Sequence, residues 1–313
     1  MYQGKTLSVV IPAYNEERLI KITLDSIPNY LDKIYVIDDG SSDNTFQIIN
    51  NAAETRPNII PIKHDKNKGV GAAIITGYKK SLEDNIDISI VMGGDNQMDP
   101  RYIPILVEPI IRGTVDYTKG NRLLSKYYTK GMSSWRLFGN SILTLLTKIS
   151  SGYWSIMDPQ NGYTAISREV LESVDLNSIY TKYGYCNDLL TKLNVFGFRV
   201  LDIAMPAKYG NEKSKIKYST YIVKVSWLLM KNFFWRLKTK YIILSLNPIP
   251  FFYFAGLVLT PLGIALGIYS LYYKLILEGD LFVRGVLSLL IVIIGIQFLL
   301  FAMLFDIQME NKK

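Results

Sequence analysis

Three observations predict an α/β fold with a doubly wound, mostly parallel sheet, followed by two transmembrane helices. Short β-rich runs alternate with helical patterns over roughly the first 210 residues of the 313-residue chain. These runs are continuous in Val and Ile, which is typical of strands buried on both faces of a parallel sheet. Two later stretches, 241–273 and 285–305, contain no charged residue, and about 20 apolar residues are enough to cross a bilayer.

Four strand-like runs can be assigned in order along the chain. "LSVVIPAY" precedes a helix expected over about 16–31, and "KIYVIDDG" precedes a helix over about 43–54. "NIIPIKHD" leads into "GVGAAIITGYKKSLE", whose small residues suit a helix packed closely on a sheet, and "ISIVMGG" is the fourth run. Ligands of such sheets bind at the carboxyl ends of the strands. The polar residues that follow these runs are therefore the first candidates for a site.

Composition divides the chain into three predicted regions. Residues 1–218 form the α/β domain, residues 219–243 an amphipathic juxtamembrane helical segment, and residues 244–313 an anchor with transmembrane helices at about 247–273 and 283–306. The juxtamembrane segment mixes basic and aromatic side chains, which suits a helix on an anionic membrane surface. Its basic residues are Lys224, Lys231, Arg236, Lys238 and Lys240.

The distribution of charge predicts an orientation in the membrane. The net charge is +8 at pH 7, with basic residues concentrated before the first span. The loop between the spans carries charges that cancel, namely Lys274, Glu278, Asp280 and Arg284. The positive-inside rule then predicts a multi-pass protein of the cell membrane whose α/β domain and both termini are cytoplasmic. The basic residues accompany no nucleic-acid-binding motif, so we expect no nucleic-acid partner.

Scarce residue types exclude several mechanisms. The chain has one cysteine, Cys186, and one histidine, His64. We therefore expect no internal disulfide, no Ser/His/Asp or Cys/His mechanism and no zinc site. We interpret His64 as an ordinary residue at a strand end. "KNKGVGAAIITG" has Ile74 where a dinucleotide fingerprint requires its third glycine, which argues against an oxidoreductase.

Two polar turns follow the first two strands. "IPAYNEE" places Tyr14, Asn15 and Glu16 after the first strand, and "VIDDGSSDNT" places Asp38 and Asp39 after the second. An Asp–Asp–Gly–Ser turn can simply cap the next helix. Two acid-bearing turns on successive strands favour a pocket instead, in which carboxylates accept hydrogen bonds from a nucleobase or a ribose.

The stretch "VMGGDNQMDP" offers the best candidates for a metal site. Asp95 and Gln97 stand two residues apart after the fourth strand, and hard divalent cations bind oxygen ligands of this kind. Gly93 occupies a position where a second carboxylate is expected. Asp99 precedes Pro100, and we interpret it as a residue of a solvated turn.

Basic and amide side chains follow a fifth short run. "YTKGNR" contains Lys119 and Arg122, and "MSSWRLFGN" contains Arg136. Arginine holds a phosphate with two donors, although a single arginine is more often a surface residue. Two arginines near the polar end of a sheet, in a membrane-bound chain, point to a lipid phosphate. "DPQNGYTAIS" then places Asp158 on a turn before another strand-like run.

Six segments together resemble the family 2 glycosyltransferases of GT-A fold over about residues 5–218: "VVIPAYNEE", "VIDDGSSDNT", "NKGVGAAIITGY", "VMGGDNQMDP", "KGNR" and "DPQNGYTAIS". Within them they are most similar to the polyprenyl-phosphate glycosyltransferases, the group that includes the dolichol-phosphate mannose and dolichyl-phosphate glucose synthases. The resemblance implies inverting transfer of a hexose from a nucleotide diphosphate sugar to a polyprenyl (dolichyl-type) phosphate, giving a lipid-linked sugar for glycan assembly. The donor is expected to be a UDP-sugar such as UDP-glucose, with GDP-mannose as the other option. A divalent cation, Mg²⁺ or Mn²⁺, and a homo-oligomer such as a tetramer are also implied.

The resemblance assigns roles to residues of this chain. The nucleotide-sugar pocket would be lined by Pro12, Tyr14, Asn15, Glu16, Asp38, Asp39, Gly69, Asp95 and Asp158. The acceptor phosphate would be held by Lys119, Arg122, Arg136, Asn140, Lys213 and Lys215. The metal ion would be bound by Asp95 and Gln97, and the catalytic residues would be Asp95, Arg122 and Arg136.

The chain departs from the family's patterns in two places. The metal motif is often Asp-x-Asp followed two residues on by Gln, and here Gly93 replaces the first Asp. The Gln-x-x-Arg-Trp motif of processive polysaccharide synthases is also absent. A phosphate acceptor tolerates a site that is poor in bases, because its second pKa of about 6 makes it an anion at neutral pH.

Two other functions remain open from the sequence. An acceptor hydroxyl on a lipid or a glycan would need a general base, for which Asp99 and Asp158 are the nearby candidates. The missing carboxylate at Gly93 also allows a non-catalytic membrane protein that binds nucleotide sugars.

Overall fold

The computed structural model describes residues 1–123, 134–206, 218–277 and 282–310. The chain forms two compact units, Met1–Phe233 and Phe234–Lys313. The predicted boundaries at 218 and 243 remain a prediction.

The first unit is built on a sheet with the strand order β3-β2-β1-β4-β6-β5-β7. Its strands are β1 (Leu7–Ala13), β2 (Lys33–Asp38), β3 (Ile59–Lys63), β4 (Ile88–Val91), β5 (Tyr117–Asn121), β6 (Thr164–Ser167) and β7 (Val200–Ala204). Strand β6 runs antiparallel to both of its neighbours, and the other pairs are parallel. The prediction of a doubly wound, mostly parallel sheet is confirmed.

Helices cover both faces of the sheet. In the first unit they are α1 (Ile20–Ser26), α2 (Thr45–Thr55), α3 (Val70–Glu83), α4 (Ile103–Ile111), α5 (Ser134–Ser151), α6 (Arg168–Ser173) and α7 (Tyr185–Val195), and α8 (Tyr218–Arg236) reaches the second unit. One core packs α1, α2 and α4 on the sheet, and the other packs α3, α6 and α7 on its opposite face. Burial on both sides explains the unbroken Val and Ile runs. Gly77 of α3 lets this helix approach the sheet closely, because a Cβ there would collide with Val10.

Helix α1 is shorter than the pattern over 16–31 predicts. It begins at Ile20 because the backbone N–H groups of residues 15–17 donate to side chains of the turn after β2. It ends before Pro28, since the residue that precedes a proline avoids the helical conformation. The segment between β1 and α1 is therefore held by residues that follow β2.

The second unit contains two long apolar helices, α9 (Ile249–Leu277) and α10 (Phe282–Glu310), after a π-helical turn at Leu237–Ile243. Both helices are long and apolar enough to cross a membrane. They pack antiparallel through glycines: a Cβ at Gly295 would lie 2.6 Å from the Thr260 nitrogen, and one at Gly263 would lie 2.7 Å from a methyl group of Val292. Small residues at such positions let transmembrane helices approach closely.

A buried ion pair joins the start of this unit to the end of α10. Arg236 and Asp306 are almost fully buried and form two hydrogen bonds of 2.8 Å each. The Tyr241 hydroxyl donates to the same carboxylate at 2.5 Å. The first and last turns of the unit therefore lie side by side.

Candidate active site

Side-chain hydrogen bonds join the loop after β1 to the turn after β2. Asn15 N donates to Ser41 Oγ at 2.9 Å, and Ser42 N donates to Asn15 Oδ1 at 2.9 Å. Glu16 N donates to Thr45 Oγ1 at 2.8 Å. Asn15 has a positive φ of 54°, which Asn tolerates better than most residues. The two predicted nucleoside turns therefore form one continuous edge.

Tyr14 and Pro12 lie at this edge. The Tyr14 side chain is 41% exposed, so its ring is accessible from solvent. The Pro12 carbonyl accepts a hydrogen bond from Gly94 N at 3.3 Å, which ties β1 to the segment after β4.

The paired aspartates after β2 have different surroundings. Asp38 is fully buried, and its Oδ1 accepts from Ser41 N at 3.2 Å. Its Oδ2 has no hydrogen-bond partner within the described part of the chain. Asp39 instead accepts from Lys68 N at 2.9 Å and Gly69 N at 2.8 Å, besides a contact with His64. A carboxylate oxygen accepts about two hydrogen bonds, so Oδ2 of Asp39 keeps capacity for one further donor.

His64, which directly follows β3, contacts one of the paired aspartates. It is buried, with Nδ1 2.7 Å from Asp39 Oδ1 and Nε2 3.0 Å from Thr76 Oγ1. The interpretation of His64 as an ordinary strand-end residue stays a prediction, and the structure adds its contact with Asp39. This contact follows from the pairing of β2 with β3. Asp38 stands opposite Lys63 in that pair, so the next residues, Asp39 and His64, lie side by side.

Gly69 is required by the backbone. It precedes α3 with φ of +102°, and a Cβ would lie 2.6 Å from the Thr181 carbonyl oxygen. Only glycine fits this conformation and this space. Its predicted contact with the nucleotide sugar remains a prediction.

The loop after β4 folds the Asp95 carboxylate back over Gly93. A Cβ on Gly93 would lie 2.9 Å from Asp95 Oδ1, which also accepts from Gln97 N at 3.1 Å. Asp99 caps the following turn and pairs with Arg101 at 2.5 Å, as its interpretation as a turn residue predicts. The Asp95 carboxylate is therefore held by the backbone of Gln97.

The donor set around Asp95 is small. Over the described ranges, no group of three or more His, Cys, Asp or Glu side chains could hold a metal ion. Asp95 and Gln97 supply oxygen ligands of the type that Mg²⁺ and Mn²⁺ prefer. They fit a divalent ion only if a substrate, such as a diphosphate, completes its coordination.

Arg122, which directly follows β5, forms an ion pair with Asp158 of the segment before β6. Arg122 Nε lies 2.8 Å from Asp158 Oδ2, and Nη2 lies 3.1 Å from Oδ1. Asp158 is buried, whereas the Arg122 side chain is 28% exposed. Lys119, by contrast, is fully buried and donates to the Asn161 carbonyl. Its role as a phosphate ligand remains a prediction.

A cavity of about 380 Å³ brings the two halves of the site together. Gln97 of the predicted metal site and Arg122 of the predicted phosphate site both line it. Its remaining lining includes Met98, Asn161 and Tyr163. Gln97 and Arg122, which have 24 residues between them in the sequence, thus line one cavity.

Four predicted acceptor residues cannot be located in detail. Arg136 and Asn140 belong to α5, but their side chains lie outside the described part. Lys213 and Lys215 fall within 207–217, which is outside the described residues.

Asp202 of β7 contacts the residues that precede Arg122 and Asp158. Its Oδ2 accepts from Asn121 Nδ2 at 2.6 Å and from Met157 N at 2.7 Å. Burial raises the pKa of this carboxyl to about 6, although the Met157 hydrogen bond and the Lys119 charge act in the opposite direction. No motif marks this residue, which stands in the unremarkable run "RVLDIAMP".

A sheet of this order, with acidic turns at the ends of β2 and β4, is the architecture of the GT-A glycosyltransferases. Comparison with solved structures supports the fold: glucosyl-3-phosphoglycerate synthase from Mycobacterium tuberculosis aligns with a TM-score of 0.56 at 20% identity, over 74% of this chain and 80% of that one. The chain therefore has a GT-A-like fold.

Sequence comparison gives the family. The profile of glycosyl transferase family 2 matches residues 8–175, more than half of the chain, and the chain belongs to this family. UDP-N-acetylglucosamine--dolichyl-phosphate N-acetylglucosaminyltransferase of Methanococcus voltae is 34% identical over 209 residues, covering 61% of this chain and 83% of that protein. Dolichol-phosphate mannosyltransferase of Pyrococcus furiosus is 31% identical over 227 residues, covering 68% of this chain and 60% of that protein. The predicted resemblance is confirmed.

Proposed function

We propose that the chain transfers a sugar from a UDP-sugar to a polyprenyl phosphate at the cytoplasmic face of a membrane. The observation that carries this proposal is the cavity lined by both Gln97 and Arg122. A donor diphosphate near Gln97 and an acceptor phosphate near Arg122 would then meet across one sugar ring. The names of the Methanococcus and Pyrococcus relatives support a dolichyl-phosphate acceptor.

An acceptor phosphate oxygen attacks C1 of the donor sugar, and the bond from C1 to the diphosphate breaks. The nucleotide leaves as a diphosphate, and the configuration at C1 inverts. The acceptor is already an anion, since its second pKa is about 6, so no base has to remove a proton. The site must instead orient the two phosphates and offset their charge.

Arg122 supplies positive charge toward the acceptor. Its guanidinium is held in one plane by two hydrogen bonds to Asp158, which reduces the entropy lost when it binds a phosphate. Asp95 and Gln97 would hold a divalent ion, which offsets the charge of the leaving diphosphate when bound. Asp39 and the Tyr14–Glu16 loop would contact the nucleoside.

The structure also bears on the alternative of a hydroxyl acceptor. The two candidate bases are both engaged, since Asp99 pairs with Arg101 and Asp158 pairs with Arg122. Acting as a base would cost either carboxylate its ion pair with arginine. This favours a phosphate acceptor, which needs no base.

The membrane part of the proposal rests on charge and on the second unit. Contact between Arg236 and Asp306 keeps the start of that unit beside the end of α10, as expected of a helical hairpin whose ends share one side of a bilayer. The basic residues before α9 favour the cytoplasmic side for both ends. A homo-oligomer such as a tetramer remains a prediction.

A donor screen tests the proposal. Purified full-length protein is incubated with polyprenyl phosphate, Mg²⁺ or Mn²⁺, and labelled UDP-glucose, UDP-N-acetylglucosamine or GDP-mannose. We expect label in the organic phase from a UDP-sugar, and mass spectrometry should find an acid-labile phosphate-linked sugar. A hydroxyl-linked product would establish the alternative acceptor. Calorimetric donor binding without transfer or hydrolysis would establish the non-catalytic alternative.

A further inference from the structure

Asp202 contacts the residue before each partner of the Arg122–Asp158 pair. One of its oxygens, Oδ2, accepts from the Asn121 side chain at 2.6 Å and from Met157 N at 2.7 Å. Asn121 precedes Arg122, and Met157 precedes Asp158. A single oxygen therefore fixes the separation of the two segments that carry the ion pair.

The Asn121 side chain also forms a hydrogen bond to the turn that follows β5. Its Oδ1 accepts from Leu123 N at 2.8 Å while its Nδ2 donates to Asp202. The amide thus bridges the turn in which Arg122 stands. Both hydrogen bonds have short, ordinary geometry, so this turn has little freedom to rotate.

We propose that Asp202 is a positioning residue that aligns Arg122 and Asp158 for the acceptor phosphate. This inference rests on the proposed function of that pair. Asp202 itself does not touch the reacting atoms in this account. It acts through Asn121 and Met157.

The surroundings of Asp202 argue against a role in stability alone. Its Oδ1 is buried and has no hydrogen-bond partner within the described residues. The charged or titratable groups that act on it are Lys119, Asp158 and Tyr117, and none forms an ion pair with it within the described ranges. A buried carboxylate with one unsatisfied oxygen costs folding free energy. This cost is explained if Asp202 holds in place the two segments that carry Arg122 and Asp158.

The same pair of strands offers a matched control at its other end. Asp116, just before β5, accepts from Arg199 N at 2.7 Å and pairs with the Arg199 guanidinium at 2.9 Å. Asp116 joins the β5 side of the sheet to the β7 side through Arg199, as Asp202 does through the Asn121 side chain. It lies at the opposite end of β5 from Arg122. The Asp116→Ala variant therefore shows how losing a carboxylate with only a structural role affects stability and the two KM values.

The test measures KM separately for polyprenyl phosphate and for the donor, on full-length enzyme. We expect Asp202→Ala to raise the acceptor KM about tenfold or more, because two hydrogen bonds to a charged group are lost. The donor KM should stay within about twofold of wild type. Asp202→Asn keeps an oxygen that can accept both hydrogen bonds, and it should restore most of the acceptor affinity. Asp116→Ala should lower the melting temperature and leave the ratio of the two KM values unchanged.

Other outcomes would overturn the inference. An unchanged acceptor KM in Asp202→Ala, or equal rises in both KM values, would show a structural role only. If Asp202→Ala does not fold, Asn121→Ala must reproduce the selective rise, and an unchanged KM there rejects the inference. Arg122→Ala distinguishes failure of the Asp202 inference from failure of the proposed function. If Arg122→Ala also leaves the acceptor KM unchanged, the proposed acceptor site itself is wrong.

Discussion

His64 Nδ1 lies 2.7 Å from Asp39 Oδ1, and both side chains are almost fully buried. The same carboxylate accepts from the backbone of Lys68 and Gly69 at the start of α3. The only histidine of the chain therefore holds a carboxylate at the edge where we propose that the nucleoside binds.

Replacing His64 should weaken nucleotide binding. We expect His64→Leu to raise the Kd for UDP about tenfold or more, since a hydrogen bond to a charged group contributes about 1.5–3 kcal/mol. His64→Asn should retain most of the affinity, because its amide nitrogen can take the place of Nδ1. Calorimetry with UDP and the donor KM measure the effect.

Thr76→Val is the matched control, since it removes the partner of His64 Nε2, together with a hydrogen bond to the Ala72 carbonyl, and leaves the contact between His64 and Asp39 in place. We expect it to change UDP affinity much less than His64→Leu does. Wild-type UDP affinity in His64→Leu would mean that this contact does not organise the nucleoside pocket.

Restoring a carboxylate at Gly93 should tighten metal binding. In Gly93→Asp the new side chain must displace the Asp95 carboxylate, because a Cβ at Gly93 lies only 2.9 Å from Asp95 Oδ1. Two carboxylates repel each other without a metal and share an ion when it is present. We expect the Kd for Mn²⁺ in the presence of UDP to fall about tenfold, or about 1.4 kcal/mol.

Gly93→Ala crowds Asp95 without adding a ligand and serves as the control. Its affinity for Mn²⁺ should be equal to or weaker than that of the wild type. Equal Mn²⁺ affinities in the Asp and Ala variants would argue that the ion does not bind at this loop.

The raised pKa of Asp202 predicts a pH-dependent stability. Burial raises this pKa to about 6, whereas an unfolded Asp titrates at about 3.9. The folded state then binds more protons than the unfolded state between about pH 4 and pH 6, so stability falls as pH rises through this window. Asp202→Asn lacks this dependence, and its stability relative to wild type should rise up to about pH 6 and then level off. Denaturant unfolding at several pH values measures the difference.

Asp87 provides a control because its pKa is lowered, whereas that of Asp202 is raised. Burial opposes the shift, but hydrogen bonds from Thr6 and the charge of Lys5 lower the pKa of Asp87. Asp87→Asn should therefore lose stability relative to wild type as pH rises through the usual Asp range. A constant difference between wild type and Asp202→Asn at all pH values would contradict the account of Asp202.

Breaking the Arg236–Asp306 pair should loosen the anchor. We expect Asp306→Ala to cost about 3–5 kcal/mol within the second unit, because it leaves a buried guanidinium without its counter-ion. Hydrogen exchange of the full-length protein in detergent should increase around 236–243 and in the last turns of α10. Gln308→Ala, at an exposed position of the same helix, should leave exchange unchanged, and the same protection in both variants would contradict the prediction.

The sequence was sufficient to predict that the polar turns after β1, β2 and β4 lie at one edge of the sheet. Carboxyl ends of parallel strands share one edge of a sheet, so the residues after β1, β2 and β4 could be grouped from their positions alone. The alternation of strands and helices gave the mostly parallel order, although the antiparallel direction of β6 depends on a connection that no local pattern encodes.

Contacts between distant segments could not be predicted. The His64 contact requires the pairing of β2 with β3, and Asp202 reaches Asn121 and Met157 across strands far apart in sequence. Lys119 belongs to a polar motif, yet the fold buries it against the Asn161 carbonyl. The sequence pattern gives residue types and strand ends, whereas these pairings arise only from tertiary packing.

The most direct test of the central claim is transfer of labelled sugar from UDP-glucose or UDP-N-acetylglucosamine to polyprenyl phosphate by the purified full-length protein. We predict a phosphate-linked product with wild type, and losses of about 100-fold or more with Asp95→Asn and with Arg122→Ala. The exposed Arg168–Glu172 pair of α6 supplies the control, since Arg168→Ala should retain wild-type transfer. Absence of lipid-linked product from these donors and from GDP-mannose, or undiminished transfer by Asp95→Asn and Arg122→Ala, would contradict the account.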